Sequence, residues 1–564
     1  MKKLEDIIRK HVLKNAYDYG KADAGAVVGK VIAEFPDAKK DMKKTMGLIN
    51  AVINEVGTLS KEAIKKGMKK YKYAEKKEEK KELELPGAIK GKVVTRFPPE
   101  PSGYPHIGHS KAAWLNYASA KRYAGDMILR FDDTNPEKES EEYVDAIKKG
   151  LKWLGIKWKK ETYTSDYIPK IYKLIEKLIQ GNRAYVCICT QALISQRRKD
   201  GRACMCRNVV PEEKMKRWKD MLNGKYRQGK AIVRFVGDMK SLNTVMLDPT
   251  LARIIEAKHF RQGKKYRVWP SYDMAVVVVD HLEGITHPMR SKEYELRNEL
   301  YYALFDALGF KKPNLIEFSR LAIKNAPVSK RLITPLVKEG KVLGWDDPRL
   351  PTLEGLKRRG ILPEAIKTFV LSPGLSKSES EPDWELLLSE NRKLLDPVSN
   401  HYFFVRNPAP LVVKNLRRKV KLPLHPKKKK GFREFEVDEN LYISADDAKD
   451  LKKGDVFRLK DLCNVKLLKK YQNKLLGELA EDSMVPRKIQ WIAGKWKSKC
   501  TVLVPHDLLD DRGIYDPESL EISEGYCEKG CEKLGNEEII QFERFGFCRL
   551  DKKDKKGLQF VFSC

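Results

Sequence analysis

Between Val93 and Tyr123 the chain reads VVTRFPPEPSGYPHIGHSKAAWLNYASAKRY, and this stretch constrains the fold more than any other. The β-branched run Val93–Phe97 predicts a short buried strand, stopped by Pro98 and Pro99, which cannot donate to a ladder. From Ser110 onwards apolar residues recur at helical spacing, with Ser110 expected to cap the first turn. The unit is therefore strand, rigid loop, helix. A helix N-terminus presents unpaired N–H groups that favour anions, phosphate above all, and His106 and His109 fall at that point. Neither G-x-x-x-x-G-K-[ST] nor G-x-G-x-x-G occurs, so phosphate binding would use His106, His109, a close backbone approach at Gly108 and a cationic loop, for which APVSKRLI (Ala326–Ile333) is suited. Positioned cations neutralise the charge that builds as a nucleophile attacks phosphorus.

Beyond this unit, strand-like MILRFDD is followed by helical SEEYVDAIKKGLKWLGI and IPKIYKLIEKLIQGN, an alternation that predicts a parallel α/β sheet. Residues 185–260 are irregular and carry cysteines, as an insertion would. Met274–Leu282 (MAVVVVDHL) reads as a strand resuming the sheet, since four consecutive valines suit burial on both faces. After Asp396 short β-rich runs such as HYFFV, PLVVKNL and KCTVLVP predict a separate β-barrel domain. The first 75 residues read as short amphipathic helices, and the charge-dense stretch after them as a linker.

The 564 residues carry 112 Lys and Arg against 78 Asp and Glu, a formal +34. That excess points to a polyanionic partner; a lysine-rich solvated surface is the other reading of the same numbers. Ten cysteines in so long a chain do not make a disulfide scaffold. No apolar run approaches the ~20 residues of a membrane span, and the charged amino end lacks a signal peptide's apolar core. The expectation is a cytoplasmic protein with no membrane partner.

PEPSGYPHIGH (Pro99–His109) together with VSKR (Val328–Arg331) resembles the two signatures of class I aminoacyl-tRNA synthetases. LRFDDTNPEKE, WPSYDMAVVVVDHLEGITH, EFSRL and GWDDPRLPTLEGLKRRG, in that order, are similar to the glutamyl/glutaminyl subgroup in its archaeal and eukaryotic form. The resemblance implies an α/β Rossmann-like catalytic domain with a helical N-terminal extension, an acceptor-stem-binding insertion and a C-terminal β-barrel anticodon-binding region. The expected boundaries are 1–75 for the extension, 76–92 for the linker, 93–184 and 261–335 for the two catalytic halves, 185–260 for the insertion, 336–395 for a helical stem-contact region and 396–564 for the β-barrel region.

The implied reaction forms an aminoacyl-adenylate from ATP, with Mg2+, and an amino acid, then passes the acyl group to the terminal adenosine of tRNA. On the matching positions, Glu100, Pro101 and Ser102, with His106, Ile107, Gly108, His109, Ser110 and Lys111, would line the ATP site. Arg320 and Leu321 would border the adenine, and Val328, Ser329 and Lys330 would form the second signature loop. His106, His109 and Lys330 would be catalytic. This loop departs from the family's Lys-Met-Ser-Lys-Ser pattern, with Pro327 and Val328 in place of the first Lys and Met, which leaves Lys330 as its cation and Lys324 and Arg331 nearby. LSKSES (Leu375–Ser380) is spelled similarly but lies beyond GWDDPRLPTLEGLKRRG, and is expected to be a stem-contacting or structural loop.

For the amino acid, Arg96, Asp132 and Tyr272 fall at strand ends, which converge on one crevice in a parallel sheet. By resemblance Asp132 takes the ammonium, Arg96 a carboxylate, Tyr272 hydrogen-bonds nearby, and Arg290, with Ser291 beside it, reads the side chain. Glutamyl enzymes have arginine at the position of Arg290 and glutaminyl relatives a small uncharged residue. A buried guanidinium pairs bidentately with a γ-carboxylate but is left unpaired by an amide. L-glutamate is therefore the expected substrate and tRNA(Glu) the acceptor, with tRNA(Gln) open as a second acceptor and a monomer expected. A glutaminyl enzyme and a catalytically inactive tRNA-binding relative are the rival readings.

Cys187-x-Cys189 and Cys204-x-Cys206 flank fourteen residues inside the insertion and could close a tetrahedral zinc site, the alternative being ordinary free thiols. Cys527 and Cys531 lack a second pair and read as free thiols. KNLRRKVKLPLHPKKKKGFR (Lys414–Arg433) holds ten Lys and Arg and no acid, suited to neutralising phosphates. Tyr402, Phe403 and Phe404 nearby suit barrel core better than base stacking.

Overall fold

The computed structural model describes residues 2–19, 22–68, 70–71, 83–379, 381–472 and 474–564. The chain divides into two compact units, Met1–Glu79 and Lys80–Cys564. In the first, four helices (Lys2–Tyr19, Ala24–Glu34, Met42–Gly57, Lys61–Met68) close over Ile8, Val12, Val27, Val31, Ile49 and Val52. Asp23 and Asp41 cap the second and third by accepting from Ala26 N at 2.8 Å and Lys44 N at 3.0 Å. Of the linker expected over 76–92, residues 76–82 lie outside the described residues.

In the second unit, β1 (Val94–Phe97), β2 (Asp126–Phe131) and β3 (Lys160–Tyr163) form a parallel sheet in the order β1-β2-β3. An antiparallel sheet of β4 (Ala184–Cys187), β5 (Ile232–Phe235), β6 (Thr250–Ile254) and β7 (Val268–Pro270) follows, so the insertion's sheet reaches past residue 260. β8 (Met289–Ser291) and β9 (Ile316–Phe318) are parallel, and the His287 N–H beside β8 donates to Val94 O of β1 at 3.2 Å. The parallel α/β frame is thus present, with the insertion between its halves.

Met274–Leu282 is not a strand. Tyr272–Leu282 is a helix, with Ser271 as its N-cap and Met274–Val279 buried without exception. A run apolar on all sides carries neither the two-residue nor the helical period, so local sequence leaves its state open. Packing against the helices Ile168–Gln180 and Asn298–Leu308 and against β6 decides it.

The carboxyl half is β-rich, as expected, and contains two seven-stranded sheets, each over its own core. The first is built from segments between Pro408 and Ala493, the second from His401–Arg406 and segments between Lys497 and Phe562. Tyr402, Phe403 and Phe404 are core residues of these sheets, and Cys527 and Cys531 are buried free thiols. Among the described residues no helix is long and apolar enough to cross a membrane.

Candidate active site

β1 delivers the chain into Pro98–Pro105, and the helix Ile107–Arg122 begins immediately after. Its cap is His106 rather than Ser110, which is buried one turn into the helix. His106 Nδ1 accepts from Gly108 N at 3.1 Å, and His109 Nδ1 accepts from the His106 N–H at 3.2 Å, a reciprocal capping box made of two imidazoles. Burial, with neighbouring His109 and then Arg320 adding to it, drives His106 well below its ordinary value, and burial lowers His109 to about 4. Both rings are therefore neutral near pH 7. With each Nδ1 accepting, the ring proton sits on Nε2, which makes each ring a neutral donor towards an anion. Gly108 is required for packing: a Cβ there would lie 2.9 Å from the His106 ring and 3.2 Å from Leu321 O.

A cleft of about 800 Å³ opens at this helix end, lined by Glu100, Ser102, His106, His109, Val328 and Ser329 with Lys330 and Trp345. Burial pushes the Glu100 carboxyl up, and nearby Asp132 adds to the effect. Ser329 stands at the N-cap position of the helix Lys330–Lys338 without a side-chain capping bond, and Lys330 Nζ donates to Ser102 O at 2.8 Å across 228 residues of sequence. The two signatures therefore meet in one cleft.

The other residues expected at ATP are placed differently. Ile107 and Ser110 are core, and the Pro101 carbonyl accepts from Ser140 N at 3.1 Å. Lys111 is buried, its Nζ bound to Ser319 O at 2.6 Å and Ser319 Oγ at 2.9 Å, and burial lowers it to about 8. It ties the first helix to the end of β9 instead of facing the cleft. Arg320 is exposed, 3.3 Å from Glu293, and Leu321 is buried beneath Gly108. Lys324 is bound to Asp511 at 3.1 Å. In the LSKSES loop, Lys377 pairs with Glu317 and Ser376 O accepts from Ser319 N at 2.8 Å, so this loop braces β9; Ser380 lies outside the described residues.

The residues expected at the amino acid lie close together. Arg96 on β1 and Arg130 on β2 both donate to Asp280 Oδ1, at 3.0 and 2.8 Å, and Tyr301 donates to Asp280 Oδ2 at 2.9 Å. Burial works to raise the Asp280 carboxyl, but Arg96 and Arg130 outweigh it and hold it below its ordinary value. Asp132 Oδ1 accepts from Arg130 Nε at 3.1 Å and from the Thr164 hydroxyl at 2.7 Å, and Asp132 N donates to Pro99 O at 3.1 Å. That last bond joins the Arg96–Asp280 cluster to the loop Pro98–Pro105. Arg290 on β8 is 4% exposed, and none of its three guanidinium nitrogens has a hydrogen-bond partner. It is held by ring faces, with Tyr301 at 4.0 Å and Tyr272 at 5.6 Å. Ser291 does not join it: its hydroxyl donates to Glu293 at 2.8 Å. Sequence reasoning misses Arg130, Asp280 and Tyr301, although a charge inside MILRF and inside MAVVVVDHL is the signal that marks a buried ion pair.

In the insertion, Cys187, Cys189, Cys204 and Cys206 bring their Sγ atoms within 4.8 Å of one another, with separations of 3.6, 3.3 and 3.9 Å among them. A tetrahedron of thiolates with metal–sulfur bonds of ~2.3 Å has edges of about 3.8 Å, so the set fits a zinc ion. On the carboxyl half, the basic segment forms a hairpin of Arg418–Pro423 and Phe432–Val437. Lys419 and Lys421 pair across it with Glu436 and Glu434, Arg433 is buried 2.9 Å from Glu528, and Lys427–Lys429 are exposed at the tip.

Such an arrangement is that of a nucleotide-binding α/β enzyme carrying β-rich nucleic-acid-binding modules. Residues 92–397 match the family described as tRNA synthetases class I (E and Q), catalytic domain, and residues 399–481 and 488–551 match two anti-codon binding domains of the same class. The chain belongs to this family of class I tRNA synthetases. It is 48% identical to a glutamate–tRNA ligase of Nitrosopumilus maritimus over 84% of this chain and 83% of that one. It is 40% identical to a glutamate–tRNA ligase of Pyrococcus furiosus over 97% of each chain, and 38% identical to one of Korarchaeum cryptofilum over the full length of both.

Proposed function

We propose that the chain is a glutamate–tRNA ligase. An α-carboxylate oxygen of L-glutamate attacks the α-phosphorus of magnesium-bound ATP, the bond to the bridging oxygen breaks, and diphosphate leaves. A hydroxyl of the terminal adenosine of tRNA then attacks the acyl carbon and AMP departs. The observation that carries the choice of amino acid is Arg290, a buried guanidinium with no hydrogen-bond partner, suited to a γ-carboxylate and unsuited to an amide.

In this reading Asp132 receives the substrate ammonium, and Arg96, whose Nη2 is buried without a partner, reaches a carboxylate. Tyr272 walls the Arg290 pocket. His106 and His109 donate Nε2–H groups to the phosphates, and Lys330 supplies the mobile positive charge that offsets what develops on the leaving diphosphate. The four insertion cysteines hold a structural zinc, which braces the insertion that meets the acceptor stem. Lys427–Lys429 contact tRNA phosphates. The enzyme works in the cytoplasm as a monomer, with tRNA(Glu) as acceptor and tRNA(Gln) as a second candidate. ATP–diphosphate exchange with tRNA present, driven by glutamate or by glutamine, tests the reading, and charging of each purified tRNA separates the acceptors. Exchange driven by glutamine alone would replace it with a glutaminyl enzyme, and no exchange with either would leave a tRNA-binding relative.

A further inference from the structure

Lys330 is poorly placed to stay where catalysis needs it. It is the first residue of the helix Lys330–Lys338, where the positive end of the helix dipole repels a cation, and Arg331 and Lys138 line the same cleft. A lysine there has four rotatable bonds and open solvent beside it, since the residue is exposed. Yet the side chain is drawn inward: its Cδ crosses Gly103, 3.7 Å from where a Cβ would stand, and Nζ reaches Ser102 O at 2.8 Å. The ammonium also lies 4.4 Å from the centre of the Tyr143 ring.

That ring is itself fixed. Tyr143 lies in the first turn of the helix Glu141–Trp153 and meets Tyr104 edge-on at 5.5 Å. Tyr104 stacks on Trp345 at 5.0 Å and bonds through its hydroxyl to Glu142. Trp345, Tyr104 and Tyr143 thus form an aromatic ladder that presents one π-face to the lysine.

We propose that Tyr143 is a positioning residue for Lys330, holding the ammonium inside the nucleotide cleft before ATP arrives. Its ring meets Tyr104 and Lys330, both of which line the nucleotide cleft, so its effect falls on that side. The proposal rests on the reading of Lys330 as the catalytic cation. A ring face is the right holder: it attracts a cation without the fixed negative charge that would compete with phosphate for it. The contact therefore persists as the diphosphate charge builds, and its loss is read in kcat/KM.

The test is a double-mutant cycle in ATP–diphosphate exchange. Tyr143→Leu should lower kcat/KM for ATP about fivefold, the size of a partly exposed cation–π contact, with the KM for glutamate unchanged. Tyr143→Phe keeps the face and should restore the rate to within about twofold of the parent. In a Lys330→Ala background, Tyr143→Leu should cost nothing further. An equal loss from Tyr143→Leu with and without Lys330, or a Phe variant as impaired as the Leu variant, would overturn the proposal and leave Tyr143 a packing residue. Undiminished exchange by Lys330→Ala alone would instead remove the catalytic reading of Lys330, and this proposal with it.

Discussion

The guanidinium of Arg290 lies 4.0 Å from the centre of the Tyr301 ring, and the hydroxyl of that same tyrosine donates to Asp280 at 2.9 Å. One side chain therefore links the cation proposed to read the substrate to the carboxylate that organises Arg96 and Arg130.

Arg290→Cys should raise the KM for glutamate steeply, by the roughly 3–5 kcal/mol of stranding one member of a buried charge pair. Glutamine loses no partner in that variant, although no contact for its amide has been built. The quantity to measure is the ratio of kcat/KM for the two amino acids. A ratio equal to the parent's would show that Arg290 does not discriminate.

Asp280→Asn is the matching structural prediction. It keeps the volume but leaves Arg96 and Arg130, both fully buried, facing a neutral amide. The expected loss is about 3–5 kcal/mol in the unfolding of the catalytic half, followed by urea denaturation with a probe near β1. An Asn variant within about 1 kcal/mol of the parent would mean that Asp132 and Glu283, the latter 3.2 Å from Arg130, suffice to neutralise the two arginines.

His109 should remain neutral far below the usual range for imidazole. Its value in the folded protein is about 4 against an ordinary 6.5, so between those limits the unfolded chain binds a proton that the folded chain does not. Its contribution to stability is complete above pH 6.5 and declines as the pH falls towards 4, by about 3 kcal/mol in all. In histidine-labelled protein, 15N shifts should report a neutral ring protonated on Nε2 down to pH 5. His109→Asn, whose side-chain carbonyl can still accept from His106 N, should flatten that part of the acid denaturation curve.

Zinc content follows from the cysteine geometry. Purified protein should carry about one zinc per chain, and Cys204→Ser should lower that content. Stripping the metal with a chelator should bring forward the unfolding of the insertion, read by limited proteolysis between β4 and β5. Metal-free protein with unchanged proteolysis would make these four residues ordinary buried thiols.

The sequence by itself determined the features that depend on near neighbours. A β-branched run ended by two prolines and followed by a helical period can only be strand, loop and helix, so adjacent residues alone set His106 and His109 at a helix N-terminus. Two close cysteine pairs were likewise visible, and their four Sγ atoms lie within 4.8 Å of one another. What tertiary structure decided depends on partners far along the chain. Met274–Leu282 carries no period, and only packing on every side made it a helix. Ser110 is the better cap by residue type; the chain's path past Pro351, whose carbonyl accepts from Ile107 N at 2.9 Å, started the helix earlier. Lys111 lies two residues past the first signature, yet helical geometry turned it away from the cleft and onto Ser319, 208 residues distant. Arg290 could be named from its position in a motif, but its burial without a hydrogen-bonded partner arises only where β8 meets the helices of Tyr272 and Tyr301. Local chemistry is written in adjacent residues, whereas desolvation and charge pairing exist only once distant segments exclude water together.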